Sequence, residues 1–345
     1  MADRWCWRTI VPGLLNGVIR VSGESIVLVA IVLAFAWSIG AHYTGACMGM
    51  PYGSGSIKLW PALGLMSVLA LLGAAVASHG VETTVGVHII EAKRVTVAAA
   101  LVVVVAAFLL TTIYTARKIP TSTIQILVFS VVGMALGAHI RVHWGTILKL
   151  AVIWVMAPPV ALGLGYLFTH GMDWAVGFKP ESQERTAGVL KTLGMILLAV
   201  GAAASFTMGA NDVSNATGVF IMTHMYSLWT AGLIGGVGLM LGVLTWGKPL
   251  LQKVAFDIVH VDLSMASAAQ LVQAVVVLLA VSLGFFTSMN QALVGAMTGA
   301  GLARGNASIE WKAILGIVKG WAIAPISGIA IAFLLAKLSS LWFVL

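Results

Sequence analysis

Hydrophobic side chains in this chain come in long blocks, without the one-sided spacing of an amphipathic surface helix. Apolar runs cover 26–39, 61–78, 95–113, 124–137, 146–168, 186–208, 228–246, 266–286 and 314–338. Several reach the roughly 20 residues that an α-helix needs to cross a bilayer. Helices apolar on every face must be solvated by lipid, because no single core of this size could bury them all. Short polar islands interrupt the pattern at 39–49 (IGAHYTGACMG), 120–125 (PTSTIQ), 208–218 (MGANDVSNATG) and 286–291 (FTSMNQ).

These islands pair up. IGAHYTGACMG aligns with MGANDVSNATG, PTSTIQ with FTSMNQ through Thr-Ser-x-x-Gln, and WVMAPP with WAIAPI through Trp-x-x-Ala-Pro, at offsets of 169, 166 and 167 residues. Three collinear matches at a nearly constant displacement indicate internal duplication. The most polar connector lies almost at mid-chain, so the expected organisation is an interfacial segment at 1–22, a first transmembrane repeat at 23–170, a connector at 171–186 and a second repeat at 187–345. Duplicated membrane helices are the mark of secondary transporters, whose halves run in inverted topology with the substrate between them. The fold class expected is an all-α polytopic membrane protein, an inverted-repeat transporter of about 10–12 membrane segments. A channel or an intramembrane enzyme on a duplicated scaffold is the competing reading. No nucleophile–base pair can be assembled for an enzyme, and no catalytic residue is assigned.

Composition agrees: 60% of residues are hydrophobic and 9% charged, against roughly 25% charged in soluble domains, and 38 glycines suit close helix packing. The net charge of +8 does not point to nucleic acid, since the basic residues stand singly at the ends of apolar runs, as expected beside lipid headgroups. Two cysteines provide no disulfide framework. His139 and His143 have metal-compatible spacing but no carboxylate or thiol nearby, so they read as an interfacial cluster, and no metal site or cofactor is expected. The three GxxxG motifs at 133–137, 232–236 and 295–299 read as helix packing.

Each polar island carries helix breakers, among them Pro120, Gly209, Gly218 and the glycines of 284–305. In lipid, broken backbone is tolerated only where it lines a protein cavity. Both Thr-Ser-x-x-Gln islands lead apolar runs too short to span, so each predicts a re-entrant half-helix whose N-terminus offers free N–H groups and hydroxyls to an anion. Simple N-capping by Ser and Thr is the bland alternative. Ser122, Thr123, Gln125, Ser288, Asn290 and Gln291 are therefore the candidate substrate-binding residues. Asp212 is different, because an intramembrane carboxylate is costly. Flanked by Asn211 and Asn215, it suits a hard cation or a proton, a helix-end cap being the alternative. An anion importer working against a negative-inside potential needs such a co-transported cation, Na+ or H+.

With GANDVSNA, the Thr-Ser-x-x-Gln pair, the Gly/Ala string at 295–305 and Trp-x-x-Ala-Pro in order, the chain resembles the inorganic phosphate transporter (PiT) family over about 25–340. That family carries GANDVANA and Pro-x-Ser-Thr-Thr-His/Gln in both halves. The resemblance implies inverted repeats, two re-entrant hairpins, homodimers in the cell membrane and cation-coupled uptake of phosphate. Asn211, Asp212 and Asn215 match the second GANDVANA motif. In the first motif His42 and Tyr43 stand where the family has Asn and Asp, and Ala46 replaces another Asn, a degeneration similar to the family's sulfate permease branch. One cation carboxylate is thus missing. Phosphate is the first expectation and sulfate the second, with fewer coupled cations and His42 as a candidate proton site.

Overall fold

The computed structural model describes residues 23–78, 89–90, 95–177, 187–258, 262–282, 287–305 and 309–341. The expected interfacial segment at 1–22 and the greater part of the connector lie outside these residues. The described chain consists of helices joined by turns and loops, with an isolated bridge between Ile90 and Val142. In the first half, α1 (Gly23–His42), α2 (Thr44–Gly53), α3 (Leu59–Ala77), α4 (Val97–Ala116), α5 (Thr123–Gly137) and α6 (Trp144–Val176) follow in order. The second half holds α7 (Ala187–Met222), α8 (Leu228–Trp246), α9 (Lys248–Phe256), α10 (Leu263–Ser282), α11 (Met289–Ala303) and α12 (Trp311–Ser339).

Among the described residues, eight helical segments are long and apolar enough to cross a membrane, α1 and α2 counting as one of them. Helices α5 and α11 have 15 residues each, about 22 Å at 1.5 Å per residue, which is short of a ~30 Å hydrocarbon core. The described residues thus hold eight segments of spanning length and the two shorter helices α5 and α11.

The packing follows an exchange of partners between halves. Half-helix α5 lies against α12, and α11 lies against α6; α1 packs on α8, and α3 on α7. Swapping the halves converts each pair into the other, so the arrangement is two-fold in character. Even the loops obey it: His143 N–H donates to the Ile89 carbonyl at 3.0 Å, and Glu310 N–H donates to the Ile258 carbonyl at 3.3 Å. His143 and Glu310 are N-caps of α6 and α12.

Glycine makes these crossings possible. A Cβ on Gly299 would overlap the Leu162 carbonyl, and one on Gly209 would overlap the Ala70 carbonyl, both backbone atoms that cannot rotate away. Two expectations change accordingly. Gly209 and Gly218 do not break a helix, because α7 runs unbroken through MGANDVSNATG, and Gly295 and Gly299 lie inside α11. The matching first-half motif, IGAHYTGACMG, is interrupted at Tyr43, between α1 and α2. No carbonyls are freed around Asp212 by a break. Gly209 serves the α3–α7 approach and Gly295 and Gly299 the α6–α11 approach.

Candidate functional site

The two half-helices begin in the same way. Ser122 caps α5 by accepting the Gln125 N–H at 3.4 Å, and Ser288 caps α11 by accepting the Gln291 N–H at 3.3 Å. Since each serine oxygen is an acceptor in its cap, its hydroxyl hydrogen remains available to a ligand. The two N-termini meet. Gln125 Nε2 donates to Gln291 Oε1 at 3.5 Å, and Gln291 Nε2 donates to Gln125 Oε1 at 3.4 Å. Asn290 Nδ2 donates to the Thr121 carbonyl at 2.7 Å, joining the second half-helix to the entry of the first. Ser122, Thr123, Gln125, Ser288, Asn290 and Gln291, the six residues expected to bind substrate, are thus all buried at one junction.

Two positive helix ends and a set of hydroxyl and amide donors converge there without a lysine or arginine among them. Such an arrangement suits an anion, with the positive charge supplied by peptide dipoles. Gln125 and Gln291 also form part of the wall of a cavity of about 480 Å³ between α5, α6, α11 and α12. Trp154 with Pro158 and Trp321 with Pro325, the paired Trp-x-x-Ala-Pro motifs, line it from opposite sides. The Trp321 indole N–H donates to the Pro120 carbonyl at 3.1 Å and so holds the strand entering α5.

Asp212 lies wholly buried on α7 beside this junction. Asn211 Nδ2 donates to one carboxylate oxygen and Asn215 Nδ2 to the other, both at 3.1 Å. Asn211 also donates to the Thr287 carbonyl at 3.2 Å, and Asn215 to Thr123 Oγ1 at 2.9 Å, so the acidic motif grips both half-helix entries. With their nitrogens turned to the carboxylate, the amide oxygens of Asn211 and Asn215 are left buried and without a partner, as is the Thr287 hydroxyl. Orphaned buried oxygens beside a carboxylate are unusual and suit a bound hard cation.

The first half presents a different chemistry at the matching positions. Tyr43 is fully buried, and its hydroxyl lies 2.9 Å from Thr123 Oγ1. His42 lies against Thr115 and Thr121, at 2.8 Å and 3.1 Å. Sequence reasoning named Tyr43 only as a missing acid and Trp321 only as a repeat marker. The Thr preceding each capping serine, Thr121 and Thr287, belongs to both copies of the Thr-Ser-x-x-Gln motif but was not among the six expected substrate-binding residues. Also unforeseen are Gln270 and Gln273 on α10, which meet the Ala46 carbonyl at 2.9 Å and the Met289 carbonyl at 3.5 Å, with Gln270 Oε1 unpartnered. The i, i+3 spacing of two glutamines inside an apolar run was their available signal. His139 meets Lys337 at 3.1 Å on an exposed surface.

Residues 39–335 match the model of the phosphate transporter family. A sulfate permease of Bacillus subtilis is 28% identical over 310 residues, covering 89% of this chain and 85% of that protein. A Methanocaldococcus jannaschii protein, provisionally named a phosphate permease, is 25% identical over 87% of this chain and 93% of its own length. In structure, the fold superposes on a sodium-dependent phosphate transporter with a TM-score of 0.85 at 22% identity, covering 93% of this chain and all of the other.

Proposed function

The chain belongs to the phosphate transporter family, and from that premise we propose that it is a cation-coupled secondary transporter of a tetrahedral inorganic oxyanion, inorganic phosphate first. The observation that carries this is the meeting of the α5 and α11 N-termini with both capping hydroxyls free to donate. An oxyanion between them would take hydrogen bonds from Ser122, Ser288 and the backbone N–H groups of two helix ends. The Gln125–Gln291 bridge spans the same junction and would open to admit it.

Coupling falls to Asp212, Asn211 and Asn215. The carboxylate with the two unpartnered amide oxygens supports a site for Na+ or for a proton on the carboxylate. Tyr43 in the matching position offers a phenol and no charge, which supports one such site per chain. Residence in the cell membrane and assembly as a homodimer belong to the same proposal.

Sulfate is the second reading. The Bacillus relative named a sulfate permease aligns over most of both chains, and Tyr43 removes an acceptor that a protonated phosphate could use, whereas sulfate near neutral pH needs donors alone.

Uptake of labelled phosphate and sulfate into proteoliposomes, side by side under imposed sodium or pH gradients, tests the proposal. Saturable accumulation above equilibrium is expected for one of the two. Transport of neither anion under any gradient sinks the reading, and ohmic flux without accumulation would make the protein a channel.

A further inference from the structure

His42 occupies the position that Asn211 holds in the second half, and its ring contacts define its hydrogens. Thr115 Oγ1 donates its hydrogen to the Thr111 carbonyl at 2.8 Å, so towards the His42 Nδ1, 2.8 Å away, it can only accept. Nδ1 therefore bears the proton. On the other side the Thr121 backbone N–H points at Nε2 at 3.1 Å, which requires a lone pair there. The Thr121 carbonyl, 3.2 Å from Nε2, takes its hydrogen from Asn290 instead, and the Thr121 hydroxyl at 3.3 Å can donate to the ring. Every neighbour is satisfied by a neutral imidazole. A second proton on Nε2 would confront the Thr121 N–H.

The second half repeats this grip with different chemistry. Asn211 Nδ2 donates to the carbonyl of Thr287, the residue that matches Thr121, immediately before the capping serine. Among the described residues, His42 hydrogen-bonds only to hydroxyl and backbone groups. Tyr43 is edge-on to it with ring centroids 5.6 Å apart.

We propose that His42 is a positioning residue, a neutral imidazole protonated at Nδ1 that ties α1 to α4 and holds Thr121, so fixing the oxyanion donors at the start of α5. This rests on the anion reading of the junction, and it moves His42 out of the proton path. Without the ring, Thr121 loses a partner for its N–H, and the hydroxyl of Ser122 is no longer fixed.

Two measurements test it. Uptake kinetics are compared for wild type, His42→Asn and His42→Ala across pH. His42→Asn, which installs the residue of the matching position, is expected to keep the wild-type pH profile and a KM within about threefold. His42→Ala is expected to raise KM roughly tenfold, as for one lost hydrogen bond that leaves a buried donor unpaired. Loss of the pH response or of pH-driven accumulation in His42→Asn would overturn the proposal. Independently of transport, ¹⁵N NMR of histidine-labelled wild type should show a buried ring protonated at Nδ1 alone that does not titrate between pH 5 and 8. A ring at His42 that titrates in that window, or one protonated at Nε2, would refute it even if the wild type carried no anion or a variant failed to fold.

Discussion

Replacing Arg304 by Met should loosen one hairpin of the transporter and leave the other untouched. The Arg304 guanidinium ends α11 and forks onto Asp173 of α6 at 2.6 and 2.7 Å, while its Nε reaches Asp262 at the start of α10 at 2.9 Å. Asp173 also accepts from Ser264 at 2.6 Å, and Asp262 accepts from the Met265 N–H at 2.9 Å, so both acids are oriented before the arginine arrives. The three side chains are only 12–20% exposed. Removing one partner of a buried pair costs about 3–5 kcal/mol, chiefly because the opposite charge stays behind uncompensated. Partial exposure and the surviving Ser264 and Met265 donors place this case at the low end, about 3 kcal/mol, or roughly a hundredfold in the unfolding equilibrium. At the matching end of α5 the structure shows an exposed Lys337–His139 side-chain contact, where His139→Ala should change stability by no more than about 0.5 kcal/mol. Equilibrium unfolding in mixed detergent–SDS micelles, followed by circular dichroism, reads both values. A triple variant, Arg304→Met with Asp173→Asn and Asp262→Asn, should recover most of the loss, since no charge is stranded. A drop below about 1 kcal/mol for Arg304→Met, or a triple variant no more stable than the single one, would refute this account of how α11 is held.

Other substitutions probe the site and its packing. Asp212→Asn should retain anion exchange down a gradient while losing accumulation, as read in proteoliposomes; unchanged accumulation would remove Asp212 from coupling. Tyr43→Asp restores a carboxylate at the position matching Asp212 and should increase the number of cations moved per anion, measured by dual-label flux. Gly299→Ala places a Cβ against the Leu162 backbone and should cost about 1–3 kcal/mol by overpacking, whereas Gly163→Ala, with open space around it, should be near neutral in the same unfolding assay. Trp321→Phe keeps the cavity wall but deletes the N–H that holds Pro120, and should raise KM with little change in maximal rate.

Much of the fold was legible because lipid simplifies the code: apolar length sets the spans, and 15-residue α5 and α11 stand out by being too short. The meeting of the α5 and α11 N-termini was legible because Ser122 and Ser288 carry cap signatures in matching places. What the linear chain hid was the role of glycine. Gly209 in an unbroken α7 and Pro120 at a true helix entry look alike as breakers in sequence, and the neighbouring Ala70 carbonyl separates them. Tyr43 was likewise opaque, since its value lies in a hydroxyl reaching Thr123, 80 residues away. The Arg304 cluster draws on three helices, and residues at 173, 262 and 304 share no local pattern that would announce it.

The central claim is that one oxyanion sits where the N-termini of α5 and α11 meet. Equilibrium binding of labelled phosphate and sulfate to the purified protein tests it most directly, comparing wild type with Ser122→Ala, Ser288→Ala and the double variant. A hydrogen bond to a charged group is worth about 1.5–3 kcal/mol, so each single variant should weaken binding by roughly tenfold or more, the two should act alike, and the double variant should lose saturable binding. Binding by the double variant as tight as that of the wild type would place the anion elsewhere and contradict the account.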